Sequence, residues 1–275
     1  MPRRTSVLMV AIALVLSVVG SASSAAASMN AKVPKEGDLY VSLGSSIASG
    51  FGISVQSPTC GRSDRNYPQL VAARFGLELV DVSCGAASIP HVLTDPQADN
   101  PPQISAVAAD TKLITVSIGG NDMGYNGTAV GCGDPATVCT APATLDSDIT
   151  TARQALEDML DQLEAAAPSA TIVFVTYPRE VPRDENCPAL GFTDEEFEII
   201  RSMGESLEAM FLDVAKRPGI VFIDPYAARG DHTACAAPSQ QWTAGHEIAD
   251  GFAYHPTALG HQVMAKMIIK ALKKR

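Results

Sequence analysis

Five short apolar runs, at residues 39–43, 77–83, 113–118, 171–176 and 220–223, punctuate this chain, and segments of helical period lie between them. Taken together the runs are apolar on both faces, so strands built from them belong inside a sheet covered on both sides. Residues 146–166 put Ile149, Ala152, Leu156, Met159, Leu160 and Leu163 on one helical face. Thr193 and Glu196 make a capping box for a helix reaching residue 216. Residues 66–75 form a helix with Pro68 in its first turn, where a missing N–H is harmless. Residues 257–274 form the last helix, with Lys270, Lys273 and Lys274 at its negative dipole end. The alternation predicts a three-layer α/β/α sandwich around a five-stranded parallel sheet, in an order the pattern leaves open. Sites in such sheets lie beyond the carboxyl ends of the strands. The segments that follow the strands are therefore where chemistry is expected.

The N-terminus speaks to compartment. Arg3 and Arg4 precede an uncharged apolar stretch, residues 7–19, and Ala25-Ala26-Ala27 offers a small-residue cleavage site. Residues 1–27 are read as a secretory signal peptide and 28–275 as one domain. The rival reading is a membrane anchor, but the apolar stretch falls short of the roughly 20 residues a span needs. No stable membrane span is expected once the leader is removed. Without Arg3 and Arg4 the 20 basic residues become 18, against 30 acidic ones, a net charge of −12. That excess argues against a nucleic-acid partner, which needs clustered Lys and Arg. A monomer is expected. Six cysteines in an exported chain predict three disulfides. Sequence order pairs Cys60 with Cys84, Cys132 with Cys139 and Cys187 with Cys235. With no C-x-x-C in the chain, no metal site is expected.

Three strand-following segments stand out. Gly44-Ser45-Ser46-Ile47-Ala48-Ser49-Gly50 follows the first run, and Ser45, Ser46 and Ser49 all qualify by position as a nucleophile. Position 48 is Ala, so the G-x-S-x-G elbow is absent. Cys84-Gly85-Ala86-Ala87-Ser88 follows the second run. Gly119-Gly120-Asn121-Asp122 follows the third, where Asn121 either aims its amide at a bound oxyanion or simply makes a turn. Of five histidines, His91, His232, His246, His255 and His261, only His255 sits with Pro256 at a loop-to-helix boundary after the last strand. The long stretch 225–254 carries Trp242 and is read as an ordered wall of a substrate cleft, with 124–144 shaping the same pocket.

These three segments and the His255-Pro256 boundary, in this order, resemble the blocks of the SGNH hydrolases, also called the GDSL esterase and lipase family. Tyr40-Val41-Ser42-Leu43-Gly44-Ser45-Ser46 resembles the first block and selects Ser46 as nucleophile. Cys84-Gly85-Ala86-Ala87-Ser88 resembles the second, which implies an oxyanion N–H at Ala86, or at Gly85 in a shifted register. Gly120-Asn121-Asp122 resembles the third and implies Asn121 as side-chain donor. His255-Pro256 with Gly260-His261 resembles the fifth and implies His255 as base. The oxyanion hole so implied comprises the N–H groups of Ser46 and Ala86 and the Asn121 amide. The six cysteines resemble the secreted actinobacterial branch. The resemblance implies a flavodoxin-like fold and a secreted serine esterase or lipase without metal or cofactor. Its substrates would be small-molecule or lipid esters, including acylated glycans.

Three departures qualify this. Ser45 stands where the family has Asp. Ala86 stands where Gly is usual. Phe252 stands where the family often has an acid three residues before the His. The main-chain carbonyl of Phe252 is expected to orient His255, with Asp250 as a substitute. Two rival functions remain: an extracytoplasmic acyltransferase acting on a cell-envelope glycolipid or sugar, and a non-catalytic lipid- or glycan-binding protein.

Overall fold

The computed structural model describes Met1 and residues 33–54, 56–248 and 250–274. Met1 apart, the leader read over 1–27 lies outside the described residues. Strands β1 (Leu39–Gly44), β2 (Glu78–Asp81), β3 (Leu113–Ser117), β4 (Thr171–Val175) and β5 (Val221–Ile223) form one parallel sheet in the order β2-β1-β3-β4-β5. This is the flavodoxin-like order, whose winding reverses between β1 and β3. There the register sets Tyr40 against Leu113 and Gly44 against Ser117, so both strands end side by side.

The helices are α1 (Ser46–Ser49), α2 (Tyr67–Phe75), α3 (Ile89–Leu93), α4 (Tyr125–Cys132), α5 (Leu145–Ala166), α6 (Asp194–Val214) and α7 (Ala258–Lys273). α2 packs against α7, while α5 packs against both α3 and α6, as right-handed crossovers around this strand order require. On α5 the predicted stripe is buried from Ala152 to Leu163, and Ile149 is half-buried near the helix start. Each fully buried leucine there contributes about 1.5–3 kcal/mol. Thr193 and Glu196 exchange the two hydrogen bonds of the capping box at 3.3 and 2.8 Å. The His261 imidazole on α7 accepts the Tyr67 N–H at 3.1 Å and stacks on the Tyr67 ring, pinning α7 to the start of α2.

The sequence reading differs from the fold in two places. β2 is shorter than 77–83 and is not buried on both faces: Glu78 and Val80 are exposed, because β2 is an edge strand. α1, α3 and α4 are new. The first two are single turns and α4 contains two glycines, so none shows a helical period. Within the stretch 225–254, read as a cleft wall, Phe252 does line the cleft, whereas Trp242 is not among the lining residues. It stacks on His232 at 3.7 Å, and its carbonyl accepts the Thr257 N–H.

All three disulfides form in the order the sequence suggests, Cys60–Cys84, Cys132–Cys139 and Cys187–Cys235. Among the described residues no helix is long and apolar enough to cross a membrane.

Candidate active site

Ser46 opens α1 at the carboxyl end of β1. The turn depends on Gly44, which has φ +137° and where a Cβ would lie 2.3 Å from the Ser117 carbonyl oxygen. The Gln103 amide clasps the same peptide, accepting the Gly44 N–H at 2.7 Å and donating to the Gly44 carbonyl at 3.0 Å. Of the three candidate serines, Ser49 turns back to donate to the Ser46 carbonyl, and Ser45 is bonded to the Tyr177 hydroxyl. Only Ser46 lines the cleft, a space of about 380 Å³ shared with Phe51, Ala86, Asn121, Val130 and His255.

The Ser46 Oγ lies 2.8 Å from His255 Nε2, across 209 positions of sequence. His255 Nδ1 lies 2.8 Å from the carbonyl oxygen of Ala253. That carbonyl takes the Nδ1 proton, leaving Nε2 as an acceptor for the serine hydroxyl. The expected partner was the carbonyl of Phe252, and here the structure corrects the sequence reading. The Phe252 carbonyl instead accepts the His255 backbone N–H at 3.1 Å, closing a turn. Within it Tyr254 takes φ +59°, and the side-chain bond falls to Ala253. Asp250 does not reach the imidazole either. It accepts the Ser54 N–H at 2.7 Å and pairs with Arg65 at 2.7 Å, half-exposed at the surface. Burial with no compensating acid pushes the His255 imidazole down to about 4, against a smaller upward pull from the Ala253 carbonyl.

The second and third segments meet beside Ser46. The N–H groups on either side of Ala86 are spent: Gly85 donates to Cys60 and Ala87 to Cys84. Those of Ser46 and Ala86 donate to no backbone acceptor among the described residues. The shifted register with Gly85 as donor is therefore not the one formed. Ala86 sits at φ +61°, a left-handed conformation that disfavours a Cβ by about 1–2 kcal/mol. Asn121 donates one amide hydrogen to the Ala87 carbonyl at 2.8 Å, and the side chain lines the cleft. Its neighbour Asp122 accepts the Ile89 N–H at the start of α3 at 2.9 Å. Two successive residues of one turn thus clamp the loop that carries Ala86.

The other histidines are structural. His91 caps α3 through Ser88, His232 stacks on Trp242, His246 lies 3.5 Å from the Tyr254 hydroxyl, and His261 pins α2. Sequence reasoning missed Gln103, Ala253, Tyr177 and the buried pair Asn126–Glu180, whose side chains meet at 2.6 Å. Tyr177 and Glu180 follow β4, so the rule that sent the search beyond strand ends also pointed to them. Gln103 carries no signal in an irregular Pro-rich segment.

A sequence profile of the GDSL-like lipase/acylhydrolase family matches residues 42–263. Lipase 2 of Streptomyces coelicolor is 28% identical over 254 residues, covering 85% of this chain and 85% of its own. The crystal structure of phospholipase A1 from Streptomyces albidoflavus NA297 superposes with a TM-score of 0.67 at 26% identity, covering 85% of this chain and 98% of that one. The extracellular lipase of Streptomyces rimosus gives 0.66 at 26% identity, over 86% of this chain and 99% of its own.

Proposed function

The chain belongs to the GDSL-like lipase/acylhydrolase family and is a carboxylic-ester hydrolase; from that premise we propose that it is an exported enzyme cleaving lipid esters through an acyl-enzyme on Ser46. The 2.8 Å contact between Ser46 Oγ and His255 Nε2 carries the reading. A serine hydroxyl becomes a competent nucleophile when a base is placed to take its proton. His255 Nε2 takes that proton as Oγ attacks the acyl carbonyl. The oxyanion is held by the N–H groups of Ser46 and Ala86 and the remaining Asn121 amide hydrogen. As the tetrahedral intermediate collapses, His255 gives the proton to the departing alcohol. Water, deprotonated by His255, then attacks the acyl-enzyme, and Ser46 recovers its proton as the carboxylic acid leaves.

The cleft lining supports an acyl chain as the group bound beside Ser46, since Phe51, Val130 and Phe252 contribute apolar surface. The names of the relatives, lipase and phospholipase A1, point the same way. Export is supported by the three disulfides and by the apolar N-terminal stretch. Purified protein is to be treated with a fluorophosphonate probe and assayed on p-nitrophenyl esters of increasing chain length. Labelling and hydrolysis both disappear in Ser46→Ala; full activity in that variant defeats the proposal.

A further inference from the structure

We propose that Tyr177 is a positioning residue that fixes the distance between the nucleophile turn and the Asn121 turn, in a role built around Ser45; this rests on the acyl-enzyme reading of Ser46. Tyr177 follows β4 and is 2% exposed. Its hydroxyl accepts the Gly120 N–H at 3.2 Å and lies 3.2 Å from Ser45 Oγ. Ser45 directly precedes Ser46, and Gly120 directly precedes Asn121. One phenol oxygen therefore bridges the backbone of the side-chain oxyanion donor to the residue beside the nucleophile.

Two further observations show that the bridge is built. A Cβ at Gly120 would stand 2.5 Å from Tyr177 Cε2 and 3.0 Å from its hydroxyl, so the ring reaches this place only because position 120 is glycine. The ring also packs against Phe211 of α6 with centroids 5.5 Å apart, which restrains it. The chemistry of position 45 completes the case. The Tyr177 oxygen receives the Gly120 hydrogen, and Ser45 Oγ is the one further partner of that hydroxyl among the described residues, so the two contacts meet on one oxygen whichever hydroxyl donates in the second. A hydroxyl at 45 thus closes the bridge beside the nucleophile. Burial keeps the phenol protonated far into alkaline pH, so the hydroxyl persists across any working range.

Tyr177→Phe deletes the bridge and keeps the ring. Oxyanion geometry matters only as the tetrahedral species forms, so kcat falls about ten- to hundredfold while KM stays within about twofold. Affinity for a boronic acid that mimics the tetrahedral adduct falls by a similar factor. Ser45→Ala, which removes the other end, produces a comparable loss, and the double variant is no worse than either single one. Unchanged kcat in folded Tyr177→Phe overturns the inference. So does a loss of thermal stability with boronate affinity intact, or a double variant whose losses multiply. The Ser46→Ala control separates the two proposals: if it remains active the acyl-enzyme reading has failed, whereas an inert Ser46→Ala beside a fully active Tyr177→Phe refutes only the bridge.

Discussion

The His255 imidazole takes its orientation from the main chain, with Nδ1 donating to the Ala253 carbonyl at 2.8 Å while Nε2 faces Ser46 Oγ at 2.8 Å. A carbonyl fixes the tautomer as a carboxylate would, but adds no negative charge to stabilise an imidazolium. The arrangement is a dyad, and it changes what substitution and pH should do.

The first consequence concerns Asp250. It is the acid nearest His255 in sequence, yet its oxygens are taken by the Ser54 N–H and Arg65. Asp250→Asn should leave kcat/KM within about threefold of the parent. Its thermal stability should fall by less than about 1 kcal/mol, the usual worth of a half-exposed ion pair. A hundredfold drop in steady-state kcat/KM would show that a carboxylate does serve the histidine.

Asn121 should behave differently. Its amide is tied to the Ala87 carbonyl and its side chain lines the cleft, where the proposed mechanism gives the second amide hydrogen to the oxyanion. Asn121→Ala should lower kcat about 10²–10³-fold, the range seen when a single oxyanion donor is removed. KM on a short p-nitrophenyl ester should change little. A kcat within twofold of the parent would remove Asn121 from the oxyanion hole.

These expectations draw on features the sequence exposes to different degrees. The layer architecture was legible because β3 and β4 are buried at every position and α5 and α6 carry long periodic faces. Ser46 and Asn121 were legible as types at strand ends and His255 at the boundary of the last helix, although neither pattern nor spacing chose Ser46 over Ser45 and Ser49. The orienting carbonyl was not, because a main-chain oxygen has no residue identity. Whether Phe252 or Ala253 supplies it depends on the left-handed turn at Tyr254, an unusual conformation for a bulky residue. Gln103 stayed hidden for a related reason, and Tyr177 was marked only by its place after β4. Both act through hydrogen bonds to backbone far away in sequence, which periodicity does not register.

Glu180 offers a test of the buried region behind the cleft. Its carboxyl accepts from Asn126 at 2.6 Å and has no cation beside it, and burial raises its pKa well above the usual range. The folded state therefore keeps a proton that the unfolded chain releases near pH 4.3. Stability linked to this group is fully present below that pH and is lost as pH rises through the folded pKa. Glu180→Gln retains an acceptor for Asn126 and has no proton to lose. Its Tm should exceed that of the parent by a margin that widens from pH 5 to pH 9. A margin that stays constant or narrows would mean that Glu180 is ionised in the fold.

In the proposed mechanism the histidine sets the pH dependence of catalysis. Nε2 accepts the serine proton only when the ring is neutral, and burial pushes His255 from its ordinary value near 6.5 down to about 4. The acid limb of kcat/KM, which reports the free enzyme, should therefore lie near pH 4, with activity level from pH 7 to about pH 5. Stability moves in the same window and has to be separated from it. His255 and His261 have folded values lowered to about 4 and about 3. As pH falls below 6.5 the unfolded chain takes up protons first, so their contribution is whole above 6.5 and drains away toward the folded values. The profile should be taken below the melting temperature at each pH, with circular dichroism confirming that the enzyme is folded. A limb at or above pH 6.5 in folded enzyme would require a solvated imidazole or an acid partner, and would contradict the dyad.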